Sequence, residues 1–221
     1  MGTVVLAGAT SGSTTLTPTD AVTATITLPS ATGTLATTAG SSGTSLVLIS
    51  TATASSSATI DFTSGITSTY DEYLITITNA IPSTNSVFAF RVSEDSGATF
   101  KSGGTDYRWI AMYQYDNAAT PSGDSSTGAS QISFSSTNIS SSVTAGGLSG
   151  EIRIFGPSST VSNKQFSFVV NGSIITTLTC MQQLTQGRFV LDTNAINGVR
   201  IYAGSGNIAS GTFALYGVRK S

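Results

Sequence analysis

The chain has 221 residues and a net charge of −2, and 9% of its residues are charged, against roughly a quarter in an ordinary soluble domain. It contains no histidine, which excludes Ser-His-Asp, Cys-His and His-ligated metal chemistry. Residues 1 to 90 hold no Lys or Arg, so binding of nucleic acid by phosphate neutralisation is not expected, and no run of about 18 apolar residues predicts a membrane-spanning helix.

Residues 1 to 43 carry one charge, Asp20, and no aromatic residue. Short apolar alternations lie in them: Val4-Val5-Leu6, Ala24 to Leu28 with Ile26 and Leu28, and Gly33 to Ala36 with Leu35. Turn signals separate them, among them Thr17-Pro18-Thr19-Asp20 and Pro29-Ser30-Ala31-Thr32-Gly33. Strands this thinly apolar bury too little area to stand alone and need partner strands from elsewhere. Val4, Val5, Leu6, Ile26, Leu28 and Leu35 are therefore the candidate interface residues of an extended N-terminal arm. The start, Met1 to Leu6, has neither a basic segment nor a long apolar one, so a secretory signal is not expected.

Residues 37 to 43 read as a linker, which places an arm at 1–43 and a second domain at 44–221. Strands are predicted at Ser45–Ser50 and Ala58–Phe62. The best-specified strand follows in Asp71 to Asn79, where Tyr73, Ile75 and Ile77 share one side of an extended chain and Leu74, Thr76 and Thr78 the other. Further strands are predicted at Val87–Ser93, Tyr107–Tyr115, Gln131–Phe134, Leu148–Phe155, Lys164–Asn171, Ser173–Met181, Arg188–Leu191, Val199–Ala203 and Thr212–Val218. Asn117 to Ser130 reads as a surface loop, and Asn171-Gly172 as a two-residue hairpin turn. Helical spacing is absent. The fold class is all-β, an antiparallel sandwich of jelly-roll type preceded by the extended β-rich arm.

Few residues point to chemistry. Asp71-Glu72 and Glu94-Asp95 are adjacent pairs whose members point apart on a strand, unlike a glycosidase acid/base couple. Cys180 lies in an apolar run and reads as a small buried hydrophobe; a lone cysteine forms no intrachain disulfide. Asp116, Asn117 and Asp124 lack the spacing of a calcium loop. No catalytic residue, cofactor or metal is expected. Tyr107, Trp109, Tyr113 and Tyr115 share one face of an extended strand, with Ile110 and Met112 on the other. That aromatic row either fills a core or subunit contact or stacks on sugar rings. Ser93 to Phe100 matches S-x-D-x-G-x-T-[FW], the Asp-box pattern of sialidase propeller blades. It occurs once here and is read as a structural turn, with Asp95 accepting backbone N–H groups and Gly97 supplying a positive φ.

The segment Leu6-Ala7-Gly8-Ala9-Thr10-Ser11-Gly12-Ser13-Thr14-Thr15-Leu16-Thr17-Pro18, followed by Ile26 to Leu35, resembles the N-terminal segments of tailed-bacteriophage virion proteins. The stretch from Leu46 to Tyr107 and the closing Ser210 to Gly217 resemble phage structural proteins too, so the likeness covers most of the chain. It implies a non-enzymatic virion component, a homotrimer, of the kind found as head fibres, capsid decoration or cement proteins and tail fibres. One arm and one sandwich suit a decoration protein on the outer capsid surface, its partners being sister subunits and the major capsid protein or other virion proteins. The alternative is a short tail fibre or receptor-binding protein contacting host surface glycan through the aromatic row or the 117–130 loop.

Overall fold

The computed structural model describes residues 5–7 and 13–15 as backbone, and residues 46–174 and 179–219 in full. The chain divides into two units, Met1–Ser42 and Gly43–Ser221. In the first, β1 (Val5–Ala7) pairs antiparallel with β2 (Ser13–Thr15). Of the arm residues predicted as interface, Val5 and Leu6 lie on β1. Val4, Ile26, Leu28 and Leu35 lie outside the described residues.

The second unit is all-β and antiparallel. Its strands are β3 (Leu46–Ser57), β4 (Ile60–Phe62), β5 (Glu72–Pro82), β6 (Phe88–Ser93), β7 (Tyr107–Tyr115), β8 (Ser122–Ala129), β9 (Ile132–Ser133), β10 (Leu148–Phe155), β11 (Lys164–Ser173), β12 (Cys180–Phe189), β13 (Gly198–Ala203) and β14 (Ile208–Val218). One sheet has eight strands in the order β3-β14-β5-β10-β11-β12-β7-β8, and the other has four in the order β4-β13-β6-β9. Among the described residues the helical content is a single 3-10 turn at Val143–Ala145.

The period-two pattern of β5 explains the layering. Tyr73, Ile75 and Ile77 are buried, as are Phe213 and Leu215 of β14 and Ile152 and Ile154 of β10, all facing the small sheet. Phe88, Phe90 and Val92 of β6 and Val199 and Ile201 of β13 answer from the other side. The sheets meet on aromatic rings: Phe90 lies 5.1 Å from Phe166 and 5.4 Å from Phe168 of β11, and Phe134 stacks on Phe168 at 5.2 Å. Each such fully buried side chain contributes roughly 1.5–3 kcal/mol of transfer free energy. The buried Tyr73 hydroxyl is satisfied by donating to the Thr67 carbonyl and accepting from the Thr67 amide, both at 2.8 Å. β5 is bulged at its far end, where Asn79 adopts φ 50° and its amide donates to Ser149 Oγ at 3.0 Å.

Four local readings of the sequence are corrected. Residues 122–129, read as loop, form edge strand β8. Asn171-Gly172 is no hairpin turn: both residues are inside β11, opposite Gln182 and Met181. The glycine answers a close approach, since a Cβ there would sit 3.0 Å from the Gly147 carbonyl oxygen. Residues 182–187, left between two predicted strands, are the middle of β12. Cys180 is exposed at the start of β12, because that strand turns its odd-numbered residues inward.

Candidate functional site

The large sheet has an outer face, turned away from the small sheet. Strands β10, β11, β12, β7 and β8 form the half of it farther from β3. On β7 the outward residues are Arg108, Ile110, Met112 and Gln114; on β12 they are Gln182, Leu184, Gln186 and Arg188. β11 adds Gln165, Ser167, Val169 and Asn171, and β10 adds Phe155, Arg153 and Glu151. Strand pairing sets these in rows across the sheet. One row runs Phe155, Gln165, Arg188, Arg108, and the next Arg153, Ser167, Gln186, Ile110, Ser125; a third runs Glu151, Val169, Leu184, Met112. Ile110 and Met112 are 59% and 58% exposed, so this face mixes apolar side chains with amides and hydroxyls.

Shallow grooves cross it, two of them over the three rows just described. The larger, about 400 Å³, lies over Arg108, Arg188, Gln186 and Phe155, with Trp109 at its floor and Ser125 to Thr127 at its rim. The second, about 280 Å³, lies between Met112, Leu184, Val169 and Pro121. The rim of the first is irregular: between Trp109 opposite Ser126 and Tyr107 opposite Ala129, β8 carries an extra residue. Ser126 Oγ closes that bulge by donating to the Gly128 carbonyl at 2.9 Å.

Charge on this half of the face is unbalanced. Arg153 is taken up by Glu72 at 2.6 Å and Glu151 at 3.1 Å. Away from this face, on the small sheet and the loop after β6, Arg200 holds Asp61 through two hydrogen bonds and Lys101 pairs with Glu94. Arg91 donates to the Ser130 carbonyl and Gln131, with Tyr202 beneath it. Arg108 and Arg188 have neither an ion pair nor a side-chain hydrogen bond among the described residues, and they face each other directly across the β7–β12 pair.

The aromatic row is placed differently from a sugar-stacking surface. Tyr107 is fully buried, its ring 5.5 Å from Phe189, its hydroxyl donating to the Lys101 carbonyl and accepting from the Val92 amide, both at 3.0 Å. Burial pushes its phenol well above the usual tyrosine range. Trp109 and Tyr115 are half-buried and packed against the core, and Tyr113 is half-buried with its ring 5.5 Å from Tyr115. The sandwich needs that face of β7 for its own interior, so the intervening residues, beginning with Arg108, are the ones presented to solvent. The 117–130 stretch contributes through strand β8 rather than as a free loop.

The Asp-box turn satisfies the Asp95 carboxylate within itself. Ser93 Oγ donates to Asp95 Oδ1 at 2.7 Å and accepts from the Gly97 amide at 2.8 Å; Thr99 donates its amide and hydroxyl to the same carboxylate at 2.9 and 2.6 Å. These bonds, that from Ser93 first, hold the Asp95 carboxyl down at about 2. Asn197 ties the turn to the strand beside it, accepting from the Ser96 amide and donating to the Glu94 carbonyl. Every acceptor atom of Asp95 is used inside the turn, which gives it a structural role.

Lys164 is buried at the start of β11, its ammonium donating to the Ser162 and Thr193 carbonyls at 2.9 and 3.0 Å. Desolvation lowers its pKa. Among the described residues no cluster of His, Cys, Asp and Glu could hold a metal ion. Sequence reasoning missed the arginine pair because Arg108 and Arg188 are 80 residues apart in the chain and only strand register joins them. Comparison with protein-family models, with curated proteins and with solved structures returns no match.

Proposed function

We propose that the chain is a non-enzymatic structural protein of a tailed-phage virion, a trimeric capsid decoration or cement protein whose N-terminal unit anchors a jelly-roll sandwich to the shell. The observation that carries this reading is strand order. Numbering β3, β4, β5, β6, β9, β10, β13 and β14 from one to eight, the four at one end of the large sheet run one-eight-three-six. The small sheet runs two-seven-four-five. Two nested Greek keys generate that order, and viral capsid and lectin domains are among its users. Strands β7, β8, β11 and β12 are then two inserted hairpins that widen one sheet.

The charge-poor composition supports the same reading. A surface of Ser, Thr, Gly and Asn loses little side-chain entropy when covered by a neighbouring subunit. The resemblance of residues 6–35 to phage virion segments supplies the setting, and residues 1–43 are the part assigned to sister subunits or capsid. The test is deletion of residues 1–43. Binding to undecorated capsids is expected to be lost while the sandwich still folds, and unchanged occupancy sinks the reading. Native mass spectrometry of the full chain is expected to give the mass of three chains.

A further inference from the structure

We propose that the groove over Arg108 and Arg188 binds a carboxylate-bearing saccharide, with the carboxylate seated between the two guanidinium groups. The inference rests on the geometry of the open sheet face and not on the virion position proposed above.

Like charges placed directly opposite on an antiparallel pair, with Cβ atoms about 5 Å apart, repel one another. Here the repulsion is uncompensated: neither guanidinium has a carboxylate partner among the described residues, while every carboxylate near Arg153, Arg200 and Lys101 is used. In a chain with only nine Lys and Arg, two are spent on this one spot. A bound carboxylate would convert the repulsion into two charge-assisted hydrogen bonds, for which the planar guanidinium fork is well shaped.

The rest of the groove fits a sugar. Gln165 and Gln186 line the groove with amide donors and acceptors, and Gln186 is fixed by donating to Ser167 Oγ at 2.9 Å. Ser125 to Thr127 line the opposite rim on the bulged part of β8. Phe155 ends the arginine row and is 39% exposed, an apolar face for the CH side of a ring. The volume of about 400 Å³ suits one to two sugar residues. A nucleic acid is disfavoured, since such binding draws on several phosphate contacts and the overall charge is −2. The position in the fold is informative too: Arg108 comes from one inserted hairpin and Arg188 from the other, and the site exists only where the two hairpins pair.

Trp109, the single tryptophan of the chain, turns its side chain to the core beneath this groove, so binding is read by isothermal titration calorimetry, with Trp109 emission followed beside it. The full chain is titrated with trigalacturonate and with sialyllactose, and in parallel with methyl-esterified trigalacturonate, lactose and a thymidine decanucleotide. Saturable heat of binding is expected with at least one acidic saccharide, with its neutral counterpart weaker by roughly tenfold or more. Arg108→Gln and Arg188→Gln are each expected to weaken that binding by roughly tenfold while Arg219→Gln leaves it unchanged. Circular dichroism of each variant checks that the sandwich is intact. The proposal is overturned if neither acidic saccharide binds, if the neutral forms bind as well, if both arginine variants bind like the parent, or if the oligonucleotide binds more tightly. Loss of capsid attachment on deleting residues 1–43 is a separate readout, so failure here and failure of the virion reading are told apart.

Discussion

Arg108 and Arg188 stand directly opposite each other on neighbouring antiparallel strands, both exposed and both without an acidic partner among the described residues. Such a pair costs stability, so relieving it should restore some. Arg188→Gln is expected to stabilise the sandwich by roughly 0.2–1 kcal/mol at low ionic strength. The gain should shrink as salt is added, because exposed charges are screened. Denaturant midpoints of parent and variant at low and high salt measure it; a loss of stability in the variant would contradict the uncompensated pair.

Gly150 sits in β10 at φ 152°, where a Cβ would strike the Val169 carbonyl oxygen and lie 2.7 Å from Val170 Cα. Both atoms are backbone of the paired strand and cannot swing aside. Gly150→Ala is expected to destabilise the domain by about 2–4 kcal/mol through forced separation of β10 and β11. A calorimetric unfolding temperature within a degree or so of the parent's would show that the strands can part cheaply.

The Tyr107 hydroxyl joins β7 to β6 and the chain beyond it, satisfying one amide and one carbonyl. Tyr107→Phe keeps the ring packing against Phe189 and strands both backbone groups. A cost of roughly 1–3 kcal/mol is expected. Hydrogen exchange should accelerate at the Val92 amide well beyond the rest of β6, and equal acceleration along the strand would point to a global effect instead.

The Asp95 carboxyl titrates at about 2 in the folded chain against 3.8 for the free group. Its folded pKa is depressed, so the unfolded chain takes up the proton first as pH falls. The stabilisation is complete above 3.8 and is lost on acidification towards about 2. Asp95→Asn should therefore flatten the acid limb of the melting temperature in that window. Parallel curves for parent and variant down to the acid end would show that the turn does not couple to folding.

Much of this architecture is legible in residue pattern. β5, β6, β10, β13 and the closing β14 all show inward apolar residues at period two or apolar runs of strand length. β8 leaves no such trace: Ser122 to Gly128 is Ser, Gly, Asp and Thr, and as an edge strand it is exposed over nearly all its length. Nothing apolar was needed on either side. β12 inverts the usual pattern, placing Gln183 and Thr185 inside and Leu184 outside. The buried amide is satisfied, since Gln183 donates to Thr185 Oγ1 at 2.8 Å and accepts from the Ser136 amide at 2.7 Å. Alternation read for hydrophobicity therefore breaks the strand in two. The arginine pair was illegible for another reason: register between distant strands is not written in either strand alone.

The pairing of β3 with β14 joins the first strand of the sandwich to its last, from Leu46 opposite Val218 to Ser57 opposite Ile208. β14 also separates β3 from β5, so β3 has no partner strand and β5 lacks one of its two until the final strand is in place. On a ribosome this domain cannot close from its N-terminal half forward. β5, whose Tyr73, Ile75 and Ile77 are buried in the core, must wait with one edge unpaired while the remaining strands are made, and contacts this distant in sequence form slowly. The same strand that anchors the finished core is thus the one most in need of shielding during synthesis.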